Sequence, residues 1–205
     1  MKIAVSYLAS DNYKKCIEVL NNTKTDFIHV DLCDGKYVET KNFTLKNVIS
    51  LLKSSKKKLN IHLMVIDPKK YIDSLATLNV DEIIIHNVNG AQNLINYIKS
   101  LGIKAGIAIN PNEKITDFEK YFDMVDTILV MSVMPGKGGQ TFIKDVLQTI
   151  DYLNSIKNNY NFDIAVDGGI NSETINFVKG KVDLVISGSF ITKSDDYDKQ
   201  ISILK

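Results

Sequence analysis

Two hydrophobic periodicities alternate along the chain, and this alternation constrains the fold more than any other feature. Between short β-rich runs, apolar residues recur three and four positions apart, as on one face of a helix. Leu45, Val48, Ile49 and Leu52 show this spacing. The β-rich runs lie near residues 2–8, 27–33, 59–65, 82–87, 104–110, 127–133, 163–167 and 183–188. Such alternation is typical of a parallel sheet with crossover helices.

Several of these runs are continuously apolar, as expected for strands covered on both faces. Ile83, Ile84 and Ile85 form one example, and residues 128–131 form another. Eight strand–helix units close naturally into a barrel, whereas an open doubly wound sheet would favour a G-x-G-x-x-G fingerprint after its first strand, which this chain lacks. We therefore predict an α/β protein: a single-domain (β/α)8 TIM barrel over residues 1–205, with a closed parallel sheet and its helices outside.

The composition is that of an ordinary globular domain. Its 205 residues fit one barrel, and an apolar content of 44% can fill a sizeable core. A formal charge of +1, without a basic stripe and interleaved aromatics, indicates no nucleic-acid partner. The chain has lysine but no arginine, so a bound phosphate must be held by lysine, hydroxyl and backbone N–H groups.

The cysteines and apolar segments indicate the compartment. Cys16 and Cys33 have no disulfide-framework or zinc-finger spacing, which indicates a reducing environment. The apolar stretch after Met1 is too short for a secretory signal, and no apolar run approaches the length of a membrane span. We expect a cytoplasmic protein without a membrane partner.

Four of the runs carry side chains of the metal-binding type. His29 and Asp31 lie in the second run, His62 in the third, His86 in the fourth and Asp167 in the seventh. Alternate residues of a strand share a face, so His29 and Asp31 point the same way. Imidazoles and carboxylates that converge from separate strands would form a site for a divalent metal, with carboxylates placed to move protons.

Glycine-rich loops follow the sixth, seventh and eighth runs. Backbone N–H groups in such loops can approach an anion closely, and barrels commonly bind phosphate after strands seven and eight. A tight turn alone could explain one loop, but three on neighbouring strands favour phosphate binding. The residues concerned are Gly136, Lys137, Gly138, Gly139, Gly168, Gly169, Gly188 and Ser189.

These motifs resemble those of the ribulose-phosphate 3-epimerase family, in the family's order, from about residue 2 to residue 189. The second strand reads HVDLCDG from His29, and the third reads HLMV from His62. The sixth strand reads VMSVMPG from Val130, the seventh reads VDGGI from Val166, and the first opens SYLASD from Ser6. The combination of motifs is specific to the family.

The resemblance implies a role for each matched residue. Asp31 and Asp167 would form the catalytic acid/base pair, and the metal would be held by His29, Asp31, His62 and Asp167. Cys33, Met64 and Met131 would line the site. The sugar phosphate would be bound by Ser6, His62, Gly136, Lys137, Gly138, Gly139, Asp167, Gly168, Gly169, Gly188 and Ser189. His86 has no such support, and we expect a structural or substrate-edge role for it.

The resemblance also implies the reaction, which is the metal-dependent epimerisation of D-ribulose 5-phosphate to D-xylulose 5-phosphate at C3 in the pentose phosphate pathway. Two carboxylates on opposite sides of the substrate can exchange a proton through an enediolate, whose negative charge a divalent ion stabilises. Zinc is the first choice; iron(II), manganese and cobalt are alternatives. A homo-oligomer, dimeric or larger, is also implied.

Two other functions remain open on the sequence. One is a D-allulose-6-phosphate 3-epimerase, and the other is a non-catalytic sugar-phosphate-binding barrel. Four positions depart from the family pattern without removing a proposed ligand or acid, and we expect them to affect substrate preference and rate. Cys33 replaces a common Met, Lys137 replaces the usual Phe, Asn87 replaces a common Glu, and the stretch up to Thr40 lacks a Pro-Asn pair.

Overall fold

Eight parallel strands pair in chain order around a closed barrel, and the last strand pairs with the first. The computed structural model describes residues 1–205. The strands are β1 (Lys2–Ser6), β2 (Phe27–Cys33), β3 (Lys58–Met64), β4 (Val80–His86), β5 (Lys104–Ile109), β6 (Thr127–Met131), β7 (Asp163–Asp167) and β8 (Leu184–Ser187). The predicted (β/α)8 barrel is confirmed.

Helices cover the outside of this barrel. Asn12 and Thr44 cap the first two, because their side-chain oxygens accept from the N–H groups of Lys15 and Asn47. None of the helices combines the length and apolar character that crossing a membrane requires. The helices are α1 (Tyr13–Leu20), α2 (Leu45–Leu52), α3 (Lys69–Leu75), α4 (Ala91–Ser100), α5 (Val146–Ile156), α6 (Ile175–Val178), α7 (Ser189–Thr192) and α8 (Tyr197–Leu204).

The crossover between β5 and β6 contains 3-10 turns over Ile115–Tyr121 in place of an α-helix. In 3-10 turns, residues three apart lie on the same side. Phe118 and Tyr121 have this spacing, and both rings are buried in the core. This short connection therefore covers its strands with two aromatic rings.

Both faces of the strands are buried. Ile128 and Val130 of β6 point outward into a cluster of 47 buried apolar residues between the sheet and the helices. Leu129 and Met131 point into a cluster of nine inside the barrel. Hydrophobic stabilisation scales with buried apolar area, so the outer layer stabilises most of the fold. The inner layer is small enough to leave room for polar side chains.

Three aspartates join neighbouring strands at the N-terminal end of the barrel. Each lies just before one strand, and its carboxylate accepts a hydrogen bond of 2.8–2.9 Å from a backbone N–H of an adjacent strand. This end of a barrel contributes to stability rather than to chemistry. The pairs are Asp26 with Ile3, Asp126 with Ala105 and Asp183 with Ile164.

Candidate active site

Strand register brings the predicted ligands to one end of the barrel. Asp31 of β2 lies beside His62 of β3, and Met131 of β6 lies beside Asp167 of β7. His29 is two residues before Asp31 and therefore shares its inward face. Asp31, His62 and Asp167 lie in the C-terminal halves of their strands, at the end where barrels carry their active sites.

The two imidazoles converge on one carboxylate oxygen. His29 Nε2 lies 3.2 Å from Asp31 Oδ1, and His62 Nδ1 lies 3.1 Å from the same atom. Asp167 Oδ2 lies 3.9 Å from His29 Nε2. One ligand atom from each of the four residues lies within 4.8 Å of the other three. The structure therefore brings together all four predicted metal ligands.

This set of donors fits a divalent ion. Two imidazole nitrogens and two carboxylates form the mixed set that zinc and other first-row metals accept. Metal–ligand bonds of about 2.0–2.2 Å place ligand atoms on opposite sides of an ion about 4 Å apart, which the 4.8 Å limit accommodates. His29 Nδ1 lies 2.6 Å from Asn60 Oδ1 and donates to it, so Nε2 faces the centre. The four residues could hold one ion.

Burial and mutual contact push the pKa values of the two carboxyl groups in opposite directions. Burial disfavours the charged form of Asp31, but His29 and His62 outweigh burial and hold the pKa of Asp31 well below its usual range. Burial and the Asp31 charge raise the pKa of Asp167 to about 7. Two carboxyl groups with separated pKa values are the pattern expected of a base and an acid.

A third imidazole lies behind the predicted ligands and outside their cluster. His86 Nε2 is 2.9 Å from His62 Nε2, and the ring of Tyr37 lies 4.5 Å from the His86 ring, centroid to centroid. Burial and the neighbouring His62 lower the pKa of His86 well below its usual range, so His86 is neutral. It contacts His62 on the side away from Asp31.

Four further predicted residues surround the carboxylates. Ser6 Oγ donates to Asp31 Oδ2 at 2.9 Å. Met64 and Met131 line the cavity beside Asp31, as does Ser6. Cys33 is buried and does not line this cavity; its Sγ lies 3.9 Å from Met64 Sδ. Burial raises the pKa of the Cys33 thiol to about 12, so the thiol is uncharged at neutral pH.

A cavity of about 470 Å³ opens beside Asp31 and Asp167, and all three glycine loops reach it. Gly168 and Gly169 have φ values of +116° and +63°, a region that favours glycine. A Cβ on Gly169 would lie 2.7 Å from the backbone nitrogen of Phe142. The predicted loop residues that line the cavity are Gly136, Lys137, Gly138, Gly139, Gly168, Gly169, Gly188 and Ser189.

Sequence reasoning misses three polar residues near this site. Lys193 follows α7 and lines the same cavity as Gly188, but no sequence motif singles it out. Asn60 and Glu82 lie inside the barrel and connect to His29 through buried hydrogen bonds. The sequence does contain a pattern that could have identified them. Asn60 lies two residues before His62 and Glu82 lies four residues before His86, which places both on the inward faces of β3 and β4.

Solved structures of other enzymes show the same barrel. In a tryptophan synthase structure from Mycobacterium tuberculosis, the match covers 99% of this chain and 91% of the matched chain, with a TM-score of 0.72 and 12% sequence identity. In the structure of N-(5'-phosphoribosyl)anthranilate isomerase from Pyrococcus furiosus, the match covers 100% of this chain and 96% of the matched chain, with a TM-score of 0.65 and 14% sequence identity. At such low identity the likeness shows the fold alone.

Sequence comparison identifies the family. A model of the ribulose-phosphate 3 epimerase family matches residues 2–192. Ribulose-phosphate 3-epimerase from Helicobacter pylori strain J99 is 36% identical over 96% of this chain and 93% of its own length. The protein of the same name from Bacillus subtilis strain 168 is 33% identical over 100% of this chain and 98% of its own length. The clustered imidazole and carboxylate side chains and the glycine loops thus occur in an enzyme that belongs to the ribulose-phosphate 3-epimerase family.

Proposed function

We propose that this enzyme interconverts D-ribulose 5-phosphate and D-xylulose 5-phosphate by inverting C3. The observation that carries the proposal is the placement of Asp31 and Asp167 on one cavity, beside two imidazoles and three glycine loops. Relatives named ribulose-phosphate 3-epimerase match nearly the whole chain, which supports the same substrate.

Inverting a carbon next to a ketone requires one group to remove its proton and another to return a proton to the opposite face. Asp31, held ionised by His29 and His62, is ready to act as a base. Asp167, whose pKa burial and Asp31 raise to about 7, is ready to supply a proton. The roles exchange in the reverse direction, and the intermediate is an enediolate.

The metal would be held by His29, Asp31, His62 and Asp167. Zinc remains our first choice among zinc, iron(II), manganese and cobalt, since all accept this mixture of ligands. When bound, a divalent ion stabilises negative charge on the enediolate oxygens. Ser6, which donates to Asp31 Oδ2, keeps that carboxylate oriented towards the cavity.

The phosphate end of the substrate would lie against the glycine loops after β6, β7 and β8. Their backbone N–H groups can approach phosphate oxygens without a Cβ in the way. Lys137 and Lys193 also line the cavity and supply positive charge in a chain without arginine. The ketose carbons would then extend from this end towards Asp31 and Asp167.

The direct test compares turnover of D-ribulose 5-phosphate with that of D-allulose 6-phosphate. We expect at least a tenfold higher kcat/KM on the pentulose. A higher value on the hexulose would assign the enzyme to the related 3-epimerase activity. Binding of both phosphates without turnover of either, in protein loaded with metal, would establish a non-catalytic sugar-phosphate-binding barrel and contradict the proposal.

We further propose that this enzyme acts in the pentose phosphate pathway in the cytoplasm, as a dimer or larger homo-oligomer. Its proposed substrate and product are both pentulose phosphates, which supports this place in metabolism. Light scattering of the purified protein measures the oligomeric state directly. A monomer at micromolar concentration would contradict that part of the proposal.

A further inference from the structure

A chain of buried hydrogen bonds runs from the predicted metal centre to the lower interior of the barrel. His29 Nδ1 lies 2.6 Å from Asn60 Oδ1, and Asn60 Nδ2 donates to Glu82 Oε2 at 2.6 Å. Register explains the contacts, because His29 of β2 lies beside Asn60 of β3, and Asn60 lies beside Glu82 of β4. The three residues are at most 4% exposed.

When Glu82 is ionised, the order of donors and acceptors in this chain has one consistent solution. The carboxylate of Glu82 accepts hydrogen bonds and donates none when ionised, so the NH2 of Asn60 must face it. The amide oxygen of Asn60 then faces His29 and accepts from its Nδ1–H. In the neutral form that binds a metal ion, the ring of His29 then has its proton on Nδ1 and its lone pair on Nε2, the atom that faces Asp31 and Asp167.

A reversed Asn60 amide would have the opposite effect. Its NH2 would then face His29 Nδ1, which would have to accept, and the ring proton would move to Nε2. A protonated Nε2 cannot bind a metal ion. The orientation of one buried amide therefore decides whether His29 can act as a ligand.

Glu82 is costly to bury, and its Oε2 accepts the hydrogen bond from Asn60. Its second oxygen, Oε1, is buried without a partner. Burial raises the pKa of Glu82 to about 7, but Oε2 can accept in either protonation state. Apart from Asn60 and Thr127, the neighbouring barrel interior contains a cluster of apolar side chains, so leucine would suit packing alone better than a carboxyl group.

We propose that Glu82 is a positioning residue for the metal centre. Glu82 orients the Asn60 amide and thereby keeps Nε2 of His29 free to bind the ion. The inference rests on the metal site of the proposed function but is independent of the substrate. Groups that orient a metal-binding histidine typically change metal affinity by about 10- to 100-fold when they are removed.

The test measures zinc affinity by competition with a chelator for the wild type and Glu82→Leu. Leu184→Met serves as the matched control, because Leu184 lies inside the same barrel and belongs to its apolar cluster. We expect Glu82→Leu to lose about 10- to 100-fold in zinc affinity, while Leu184→Met stays within about twofold. We also expect the metal-free Glu82→Leu protein to unfold within a few degrees of the wild type, because the removal of a buried carboxyl offsets the loss of the acceptor of Asn60.

A double variant tests the orientation argument. In Asn60→Asp/Glu82→Gln the amide and the carboxylate exchange places. The carboxylate at position 60 again presents an oxygen to His29 Nδ1, and the amide at position 82 donates a hydrogen bond to that carboxylate. We expect zinc affinity to recover to within about threefold of the wild type. Failure to recover in a folded double variant would show that Glu82 has only a structural role and would overturn the inference.

Nitrogen-15 NMR of the zinc-loaded wild type gives an answer that does not depend on any variant folding. We expect His29 to carry a slowly exchanging proton on Nδ1 and zinc on Nε2. A proton on Nε2, unchanged affinity in Glu82→Leu, or a wild type that binds no zinc would each overturn the inference. A wild type that binds zinc but turns over neither ketose phosphate would contradict the proposed function and leave this inference standing.

Discussion

Asp31 and His62 lie beside each other on β2 and β3, and their side chains meet at 3.1 Å between Oδ1 and Nδ1. This contact is fixed by strand register, because a slip of one residue would turn every side chain of a strand to its other face. Closing the barrel therefore also assembles the site. Both residues are buried, so the two predicted ligands are held in place before any substrate arrives.

Asp31→Asn and Asp167→Asn should each lower kcat by about 100- to 10,000-fold, the usual contribution of general acid–base catalysis. An amide cannot take up or release the C3 proton, although its shape is nearly unchanged. The measurement is steady-state kcat together with exchange of the C3 proton into deuterated water. Near-normal exchange in both variants would contradict the two-acid mechanism.

Lys193→Ala should raise the KM for D-ribulose 5-phosphate by about tenfold. A hydrogen bond from a charged donor contributes about 1.5–3 kcal/mol, and solvent screens part of this contribution at an exposed position. The kcat should stay within about twofold, since Lys193 lies at the end of the cavity where we propose that the phosphate binds. Lys179→Ala is the control: Lys179 is also exposed and does not line the cavity. Equal KM values in the two variants would remove Lys193 from the substrate site.

Asp34→Ala should loosen the loop of residues 35–41 beside the cavity. The Asp34 carboxylate accepts from the N–H groups of Lys36, Tyr37 and Ile66 at 2.8–2.9 Å. Burial raises the pKa of Asp34, but these three donors outweigh burial and lower it. Hydrogen exchange measured by mass spectrometry should show faster exchange in 35–41 of the variant at pH 7, and unchanged exchange there would contradict this role.

The lowered pKa of Asp34 predicts that the stability of this loop depends on pH in the wild type. Because the pKa of Asp34 is lower in the folded state, the ionised carboxylate stabilises the loop fully above the pKa of an unfolded Asp, which is about 3.9. This stabilisation is lost as the pH falls through the lower folded pKa. Limited proteolysis of the loop at a series of pH values should therefore change below about pH 4 in the wild type, and Asp34→Ala should not show this step.

Asp126→Ala should separate stability from activity. Asp126 accepts from the N–H of Ala105 at 2.9 Å at the end of the barrel away from the cavity. Removing the acceptor should lower the free energy of unfolding by about 1–2 kcal/mol, measured by urea denaturation, with kcat within about twofold. A large loss of kcat in a folded Asp126→Ala protein would show that the two ends of the barrel are coupled.

Much of this molecule could be predicted from residue patterns. Period-two alternation placed His29 and Asp31 on one face, and continuous apolar runs such as Ile83 to Ile85 indicated strands buried on both sides. These features follow from local backbone geometry, which a sequence displays directly. The order of the strands around the barrel follows from the repeated strand–helix unit.

Other contacts depend on neighbours that no local pattern specifies. The bonds from His29 to Asn60 and from Asn60 to Glu82 require the register of three strands. Lys193 reaches the cavity only because α7 follows β8 directly, which gives no motif in the sequence. The 3-10 turns at Phe118 and Tyr121 have a spacing of three, which is also compatible with an α-helix.

The most direct test of the central claim is metal titration of protein stripped by a chelator, with epimerisation of D-ribulose 5-phosphate as the readout. We expect stripped protein to be inactive and activity to rise in proportion to added divalent ion, up to one equivalent per chain. Full activity in protein that elemental analysis shows to be free of divalent metal would contradict the metal-dependent mechanism.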